Sequence, residues 1–287
     1  MWQITPEKVI EIPISAPEYP KEWQTLSDAP NVLYAVGNIS LLKERKFVIV
    51  GSRRTPAPAL KLGEQIAKEL SSSFVITTGV ADGGDSAAIE GAIKGSGRVI
   101  CLLAGGFSSL PQGNIHVMEK VAKKGLLLSP YPFEVAVRSF SYEYRNKLLA
   151  ALGEGTLVLG AAEKSGALIT ARYAWKNKKP VFALPYFPGS AAGAGCNAIL
   201  KAGGIFTENA LDIAGKMGVN LEEEKPLPSM SADEEKMLFA LQELGEGHIM
   251  ELAQKSGVPT FKAKAVLSAL EVKGRCVPLG GNRFAIV

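Results

Sequence analysis

The stretch "FVIVGSRRTP", Phe47 to Pro56, decides the fold: four consecutive apolar residues run into a glycine, a serine and two adjacent arginines. A strand that does not alternate apolar with polar is buried on both faces, which happens where helices cover both sides of a parallel sheet. Working outward, short apolar runs, most of them closed by glycine, recur as "SFVITTG" (73–79), "RVICLLAGG" (98–106), "GLLLSPYP" (125–132), "TLVLGAA" (156–162) and "PVFALP" (180–185). Amphipathic or alanine-rich segments such as "PALKLGEQIAKELS", "DSAAIEGAIKG" and "GALITARYAWKNK" lie between them. The alternation predicts an α/β domain, an extended Rossmann-like, doubly wound and mostly parallel sheet of about six strands over residues 41–215.

On the N-terminal side, residues 1–40 are proline-rich and short of periodicity, with "APNVLYAVGN" (29–38) as a strand-like piece, so they read as an arm packed on the domain. On the C-terminal side, "GVNLEEEKPLPSMSADEE" has the composition of a linker, placed at 216–230. Residues 231–287 then give three helical stretches and two strands around Gly280-Gly281-Asn282, the order of a small winged-helix domain. Its third helix carries only Lys262, Lys264 and Lys273, so duplex binding and protein contact both stay open.

The composition fits this reading. A chain of 287 residues with 47% hydrophobic and 21% charged side chains can bury the core of one large domain and one small one. No apolar run is long enough for a membrane span, and no basic-then-apolar leader opens the chain, so a cytoplasmic protein with no membrane partner is expected. Cys101, Cys196 and Cys276 are widely spaced and odd in number, which suits ordinary thiols rather than disulfides or a zinc site. A net charge of +4 is too mild to argue for nucleic acid by itself; its distribution matters more.

In an open parallel sheet, ligands sit at the carboxyl ends of the strands, where loops and helix N-termini present free N–H groups. Gly51, Gly79, Gly83, Gly84, Gly105, Gly106, Ser165 and Gly166 all fall at such ends and predict an anion-binding rim. "GSRRTP" is neither a G-x-G-x-x-G nor a G-x-x-x-x-G-K-[ST] loop, so no nucleotide cofactor is expected. Ser52, Arg53 and Arg54 instead offer a hydroxyl and two planar guanidinium groups, suited to phosphate oxygens and base stacking; surface ion pairs with groups such as Glu64 are the alternative.

A second basic group is "RSFSYEYRNKLLAALG" (138–153), where Phe140, Tyr142 and Tyr144 precede Arg145, Asn146 and Lys147. Aromatics interleaved with cations suit a single strand, although rings beneath a loop are also compatible with core packing. Arg172, Lys176, Lys178 and Lys179 form a third group, which a solvated helix face explains equally well. Asp85 reads either as an acid or base or as the cap of a helix beginning at Ser86. No nucleophile–base pair and no metal-ligand spacing appears, so neither catalysis nor a metal is expected.

These motifs in this order resemble the DNA-processing protein A family, also called Smf or DprA. The match runs from "VIVGSRR" through "TTGVADGGDSAAIEGAI", "LPQGNIHVMEKVAKKGLLLSPYP", "YRNKLLAALGEGTLVLGAAEKSGALITARYA" and "GCNAILKAGG". The resemblance implies single-stranded DNA binding without strong sequence preference, a homodimer, and delivery of the strand to a RecA-type recombinase in natural transformation. It implies roles for Gly51, Ser52 and Arg53 and for Arg145, Asn146 and Lys147. The chain departs from the family in having Gly83-Gly84-Asp85 then Ala87-Ala88 with no histidine, Gly160 in place of a glutamate and Glu143-Tyr144 in place of phenylalanine-proline, and it is expected to be a divergent member lacking the N-terminal helical domain. The competing reading is a nucleotide phosphoribohydrolase-like enzyme acting on a nucleoside monophosphate, but "EKSGALIT" stands where such enzymes carry a proline-glycine-glycine loop and glutamates.

Overall fold

A computed structural model describes residues 4–110, 115–221 and 230–286, and the chain divides into two compact units, Met1–Glu222 and Glu223–Val287. Most of the expected linker, 222–229, and the "PQGN" of the "LPQGN" motif lie outside the described residues.

The first unit runs β1 (Ile10–Pro13), α1 (Lys21–Gln24), β2 (Val32–Gly37), β3 (Lys46–Val50), α2 (Ala57–Leu70), β4 (Val75–Thr78), α3 (Gly84–Lys94), β5 (Val99–Leu102), α4 (Ile115–Lys124), β6 (Leu126–Ser129), α5 (Ser139–Leu152), β7 (Thr156–Val158), α6 (Ala167–Lys176), β8 (Val181–Ala183), α7 (Ala194–Lys201), β9 (Ile205–Phe206) and α8 (Ala210–Met217). These strands form one sheet in the order β1-β2-β6-β5-β4-β3-β7-β8-β9. It is parallel from β6 to β9, and the β1–β2 and β2–β6 pairings are antiparallel.

Every residue of β3 to β8 is buried, as their unbroken apolar runs require. Along β3 the side chains divide between two cores: Val48 and Val50 pack on one face of the sheet, Phe47 and Ile49 on the other. The chain leaves β3 toward β4, β5 and β6, then returns to β7 on the other side of β3, so the strand order reverses between β3 and β7.

Two segments of the expected N-terminal arm, Ile10–Pro13 and Val32–Gly37, are strands of this sheet. The β2 strand pairs with β6, Tyr34 opposite Ser129, and β1 pairs with β2. Trp23 is fully buried, and its Nε1 donates to the carbonyl of Leu148 at 2.8 Å. Proline-rich composition concealed a two-stranded extension joined to β6 and packed into the core through Ile12, Tyr19, Trp23 and Leu33.

The second unit runs α9 (Ala232–Leu244), β10 (Glu246–His248), α10 (Ile249–Ser256), α11 (Thr260–Val272), β11 (Cys276–Gly280) and β12 (Arg283–Ile286), with sheet order β10-β12-β11. Ser231 and Glu234 close a capping box on α9, and His248 caps α10, its Nδ1 accepting from the N–H of Met250. Gly280, Gly281 and Asn282 all have positive φ, which lets the β11–β12 connection turn tightly.

All three cysteines are buried. Burial pushes the Cys276 thiol up to about 11 and the Cys196 thiol up to about 12, and Cys101 higher still. At about pH 8 the native protein should therefore give almost no reaction with a disulfide reagent such as DTNB, and all three thiols should react after unfolding.

Candidate nucleic-acid interface

The carboxyl ends of β3 and β7, where the strand order reverses, open onto a cleft of 430 Å³. Its first wall is the loop after β3. Gly51 faces the backbone of Gly84 so closely that a Cβ on either would collide with the other, and the N–H of Ser52 donates to the carbonyl of Gly160 at 2.8 Å. Gly83 has φ +80 and lies against Ser52 and Arg53, a position where any side chain would be both strained and obstructed. Within the loop, the N–H of Arg54 donates to Ser52 Oγ at 3.1 Å, and Thr55 Oγ1 donates to the carbonyl of Ser52 at 2.8 Å. The loop is thus fixed on both sides while Arg53 and Arg54 stay exposed.

Neither arginine makes an ion pair among the described residues, and Glu64 is taken by Lys94 at 2.5 Å. The bland alternative for this arginine pair therefore loses the partner proposed for it.

The second wall is the start of α6. Ser165, Gly166 and Ala167 line the cleft, with the positive end of the helix toward it. One turn further, Thr170 also lines it; its Oγ1 is buried without a partner among the described residues, a hydrogen-bonding group available to whatever fills the space. Lys164 stands exposed at the mouth.

The floor comes from α5 and α3. Arg145 is buried, with Nε donating to Asn146 Oδ1 at 2.9 Å and Nη1 donating to the carbonyl of Leu102 at 3.2 Å; Nη1 lies 3.9 Å from Asp85 Oδ2. Asn146 Nδ2 in turn donates to the carbonyl of Gly166 at 3.1 Å, which ties the floor to the second wall. Burial pushes the Asp85 carboxyl up, against Arg145 and the N–H groups of Ala81 and Gly51, which pull it down. Burial likewise pushes the Arg145 guanidinium down, against Asp85, which raises it. Four cations, Arg53, Arg54, Arg145 and Lys164, line the cleft against the single carboxylate of Asp85, and the first two with Lys164 are exposed.

Several expectations change. Asp85 is not a helix cap: α3 begins at Gly84 behind Gly83, and the Asp85 side chain turns inward, accepting from the N–H of Ala81 at 3.3 Å. Gly79 does not line the cleft; its bare Cα leaves the room that the Arg145 guanidinium and Asp85 occupy. Gly105 and Gly106 pack against residues 132–137 instead of joining the rim. Phe140 is exposed and stands outside the cleft lining, whereas Tyr142 lines it. Lys179 donates to the carbonyl of Ala151, away from the cleft.

Lys147 also lies elsewhere, paired with Asp28 at 2.5 Å. Lys147→Ala should leave oligonucleotide affinity within about twofold and cost no more than about 1 kcal/mol of stability, as a partly exposed ion pair does; anisotropy and a urea melt check both numbers. Lys164 and Thr170 were not singled out in the sequence. The signal for Thr170 is its place one helical turn beyond Gly166, on the same face.

Residues 11–218 match the family described as DNA recombination-mediator protein A. The chain belongs to that family. DNA processing protein DprA of Bacillus subtilis is 37% identical over 208 residues, covering 69% of this chain and 70% of that protein. The Streptococcus pneumoniae protein of the same name is 31% identical over 197 residues, covering 68% and 70%. The crystal structure of the S. pneumoniae DprA matches with a TM-score of 0.70 at 28% identity, over 76% of each chain. DNA processing protein A from Helicobacter pylori, whose structure was described for its single-stranded DNA binding mode, matches with a TM-score of 0.67 at 29% identity, over 73% of this chain and 95% of that one. The Rossmann-like sheet of this DprA-family chain is the one its relatives share.

Proposed function

We propose that this chain binds single-stranded DNA at the cleft between the β3 and α6 walls, without strong sequence preference, and passes the strand to a RecA-type recombinase during the processing of DNA in natural transformation. The observation that carries the reading is the pair of exposed arginines, without an ion pair among the described residues, on a loop fixed by Gly51, Gly83 and Gly84. Phosphate and the faces of bases are common to every sequence, so guanidinium groups aimed at them bind without reading base edges. The H. pylori relative's single-stranded DNA binding supports the same reading.

The protein acts by holding the strand rather than by cutting it. Among the described residues the one carboxylate lining the cleft, Asp85, is occupied by Arg145 and backbone N–H groups, and His116 does not line it. It works in the cytoplasm; among the described residues no helix is long and apolar enough to cross a membrane. It forms a homodimer, a reading supported by the short edge strand β9, where Phe206 is exposed, and by exposed Leu211 on α8 just after it. Unit 2, which the sequence reads as a winged helix, serves contacts other than strand binding; its order of three helices and three strands is compatible with that reading.

The test is an anisotropy titration with oligothymidylate beside an assay for ribose 5-phosphate release from AMP. Salt-dependent binding with no release is the expected result; release of ribose 5-phosphate without strand binding would favour the phosphoribohydrolase reading.

A further inference from the structure

Beside the cleft lies a second and larger groove of 1080 Å³, and Ala162 and Lys164 line both. The groove is walled by the loop after β8 and by α7, with Lys164 at one end and Lys201 among its lining residues. The loop is held firmly. Tyr186 Oη donates to the carbonyl of Leu159 at 2.7 Å, its N–H donates to Asn197 Oδ1 at 3.1 Å, and Asn197 Nδ2 donates back to the Tyr186 carbonyl at 3.0 Å. The next residue, Phe187, is 84% exposed, and the N–H of Ser190 closes a turn onto its carbonyl at 3.0 Å.

A phenyl ring held out in water on an anchored turn contributes nothing to the core. Phe187 is not itself a lining residue but stands between Tyr186 and Pro188, which are, so on this anchored frame, beside a groove lined by Lys164 and Lys201, it has the features of a platform on which a base stacks.

We propose that this groove takes the nucleotides that lead away from the cleft along the same strand, with Phe187 stacking on a base and Lys164 and Lys201 following the phosphates. The proposal rests on single-strand binding at the cleft. Glu163 also lines the groove, so the path is less positive than the cleft and its hold on the strand depends more on the ring.

The experiment compares oligothymidylates of about four and about twenty nucleotides, the range spanned by one compact single-strand site and a longer path. The full chain is titrated with each at several salt concentrations. Phe187→Ala should bind the short oligonucleotide like the parent and the long one about tenfold more weakly, while Phe187→Tyr keeps the parent's length dependence. Lys201→Ala should lower the salt slope by about 0.7 for the long oligonucleotide only.

Equal weakening of both lengths in Phe187→Ala, or no change in either, overturns the proposal; the second outcome would leave the groove to a protein partner. If the parent binds neither length, single-strand binding itself fails and this extension with it. If the parent binds both and only the length dependence is missing, the groove alone has been misassigned.

Discussion

Arg53→Ala should weaken oligothymidylate binding by roughly 10- to 100-fold, the effect of losing one charge-assisted contact of about 1.5–3 kcal/mol. The loop that carries Arg53 is fixed by Gly51, Gly83, Gly84 and Gly160, so the guanidinium is presented with little loss of backbone freedom on binding. Among the described residues it makes no ion pair that a ligand would first have to break. The salt slope should fall by about 0.7, and thymidylate and mixed sequences should be affected alike, because the contact is to phosphate. Arg53→Lys should recover only part of the loss, since an ammonium keeps the charge but not the two-pronged geometry. Anisotropy at several salt concentrations decides the matter: unchanged affinity, or a loss confined to one sequence, would make Arg53 structural or base-reading.

Asp85→Ala should destabilise the first unit by about 3–5 kcal/mol, because it leaves a buried guanidinium without its counter-charge. Arg145 would retain only neutral acceptors, the Asn146 amide oxygen and the Leu102 carbonyl. Gly79 leaves the room in which the pair sits, since any Cβ there would collide with the guanidinium and with the Asp85 carboxylate. Replacing both partners with apolar residues, Asp85→Leu with Arg145→Met, should recover most of the lost stability while still losing the polar cleft floor. Urea midpoints of the single and double variants provide the check. If Asp85→Ala unfolds at the parent's midpoint, the pair does not hold the floor together.

The doubly wound sheet was legible in the sequence because unbroken apolar runs such as Phe47–Val50 and Val99–Leu102 cannot be half-exposed strands. The loop after β3 was legible for a related reason: an arginine pair next to Gly51 has nowhere to be but the carboxyl end of a strand. What failed was the reading of "RNK" as one functional group. Three consecutive residues on a helix project about 100° apart, so when Arg145 turns into the floor, Lys147 faces away toward Asp28. The same geometry separates the aromatics: Tyr142 reaches the cleft, while the Tyr144 hydroxyl donates to the Asp28 carbonyl at 2.6 Å.

The other misses came from long-range packing. Trp23 reaches a carbonyl 125 positions later in the chain, and nothing in "PKEWQTLSD" announces that contact. Gly79 and Gly105 sit at strand ends as expected, yet what each one accommodates is set by Arg145 and by Val135 and Val137, which lie far along the sequence. Strand-end position alone does not tell a glycine that meets a ligand from one that meets its own chain.

Hydrogen–deuterium exchange on the full chain, with and without saturating oligothymidylate, locates the strand. Binding at the β3–α6 cleft of the first unit should slow exchange in the loop around residues 51–55 and at the start of α6, 165–170, with the second unit's 232–286 unchanged. Protection confined to 232–286, with the cleft segments exchanging as in the free protein, would contradict it.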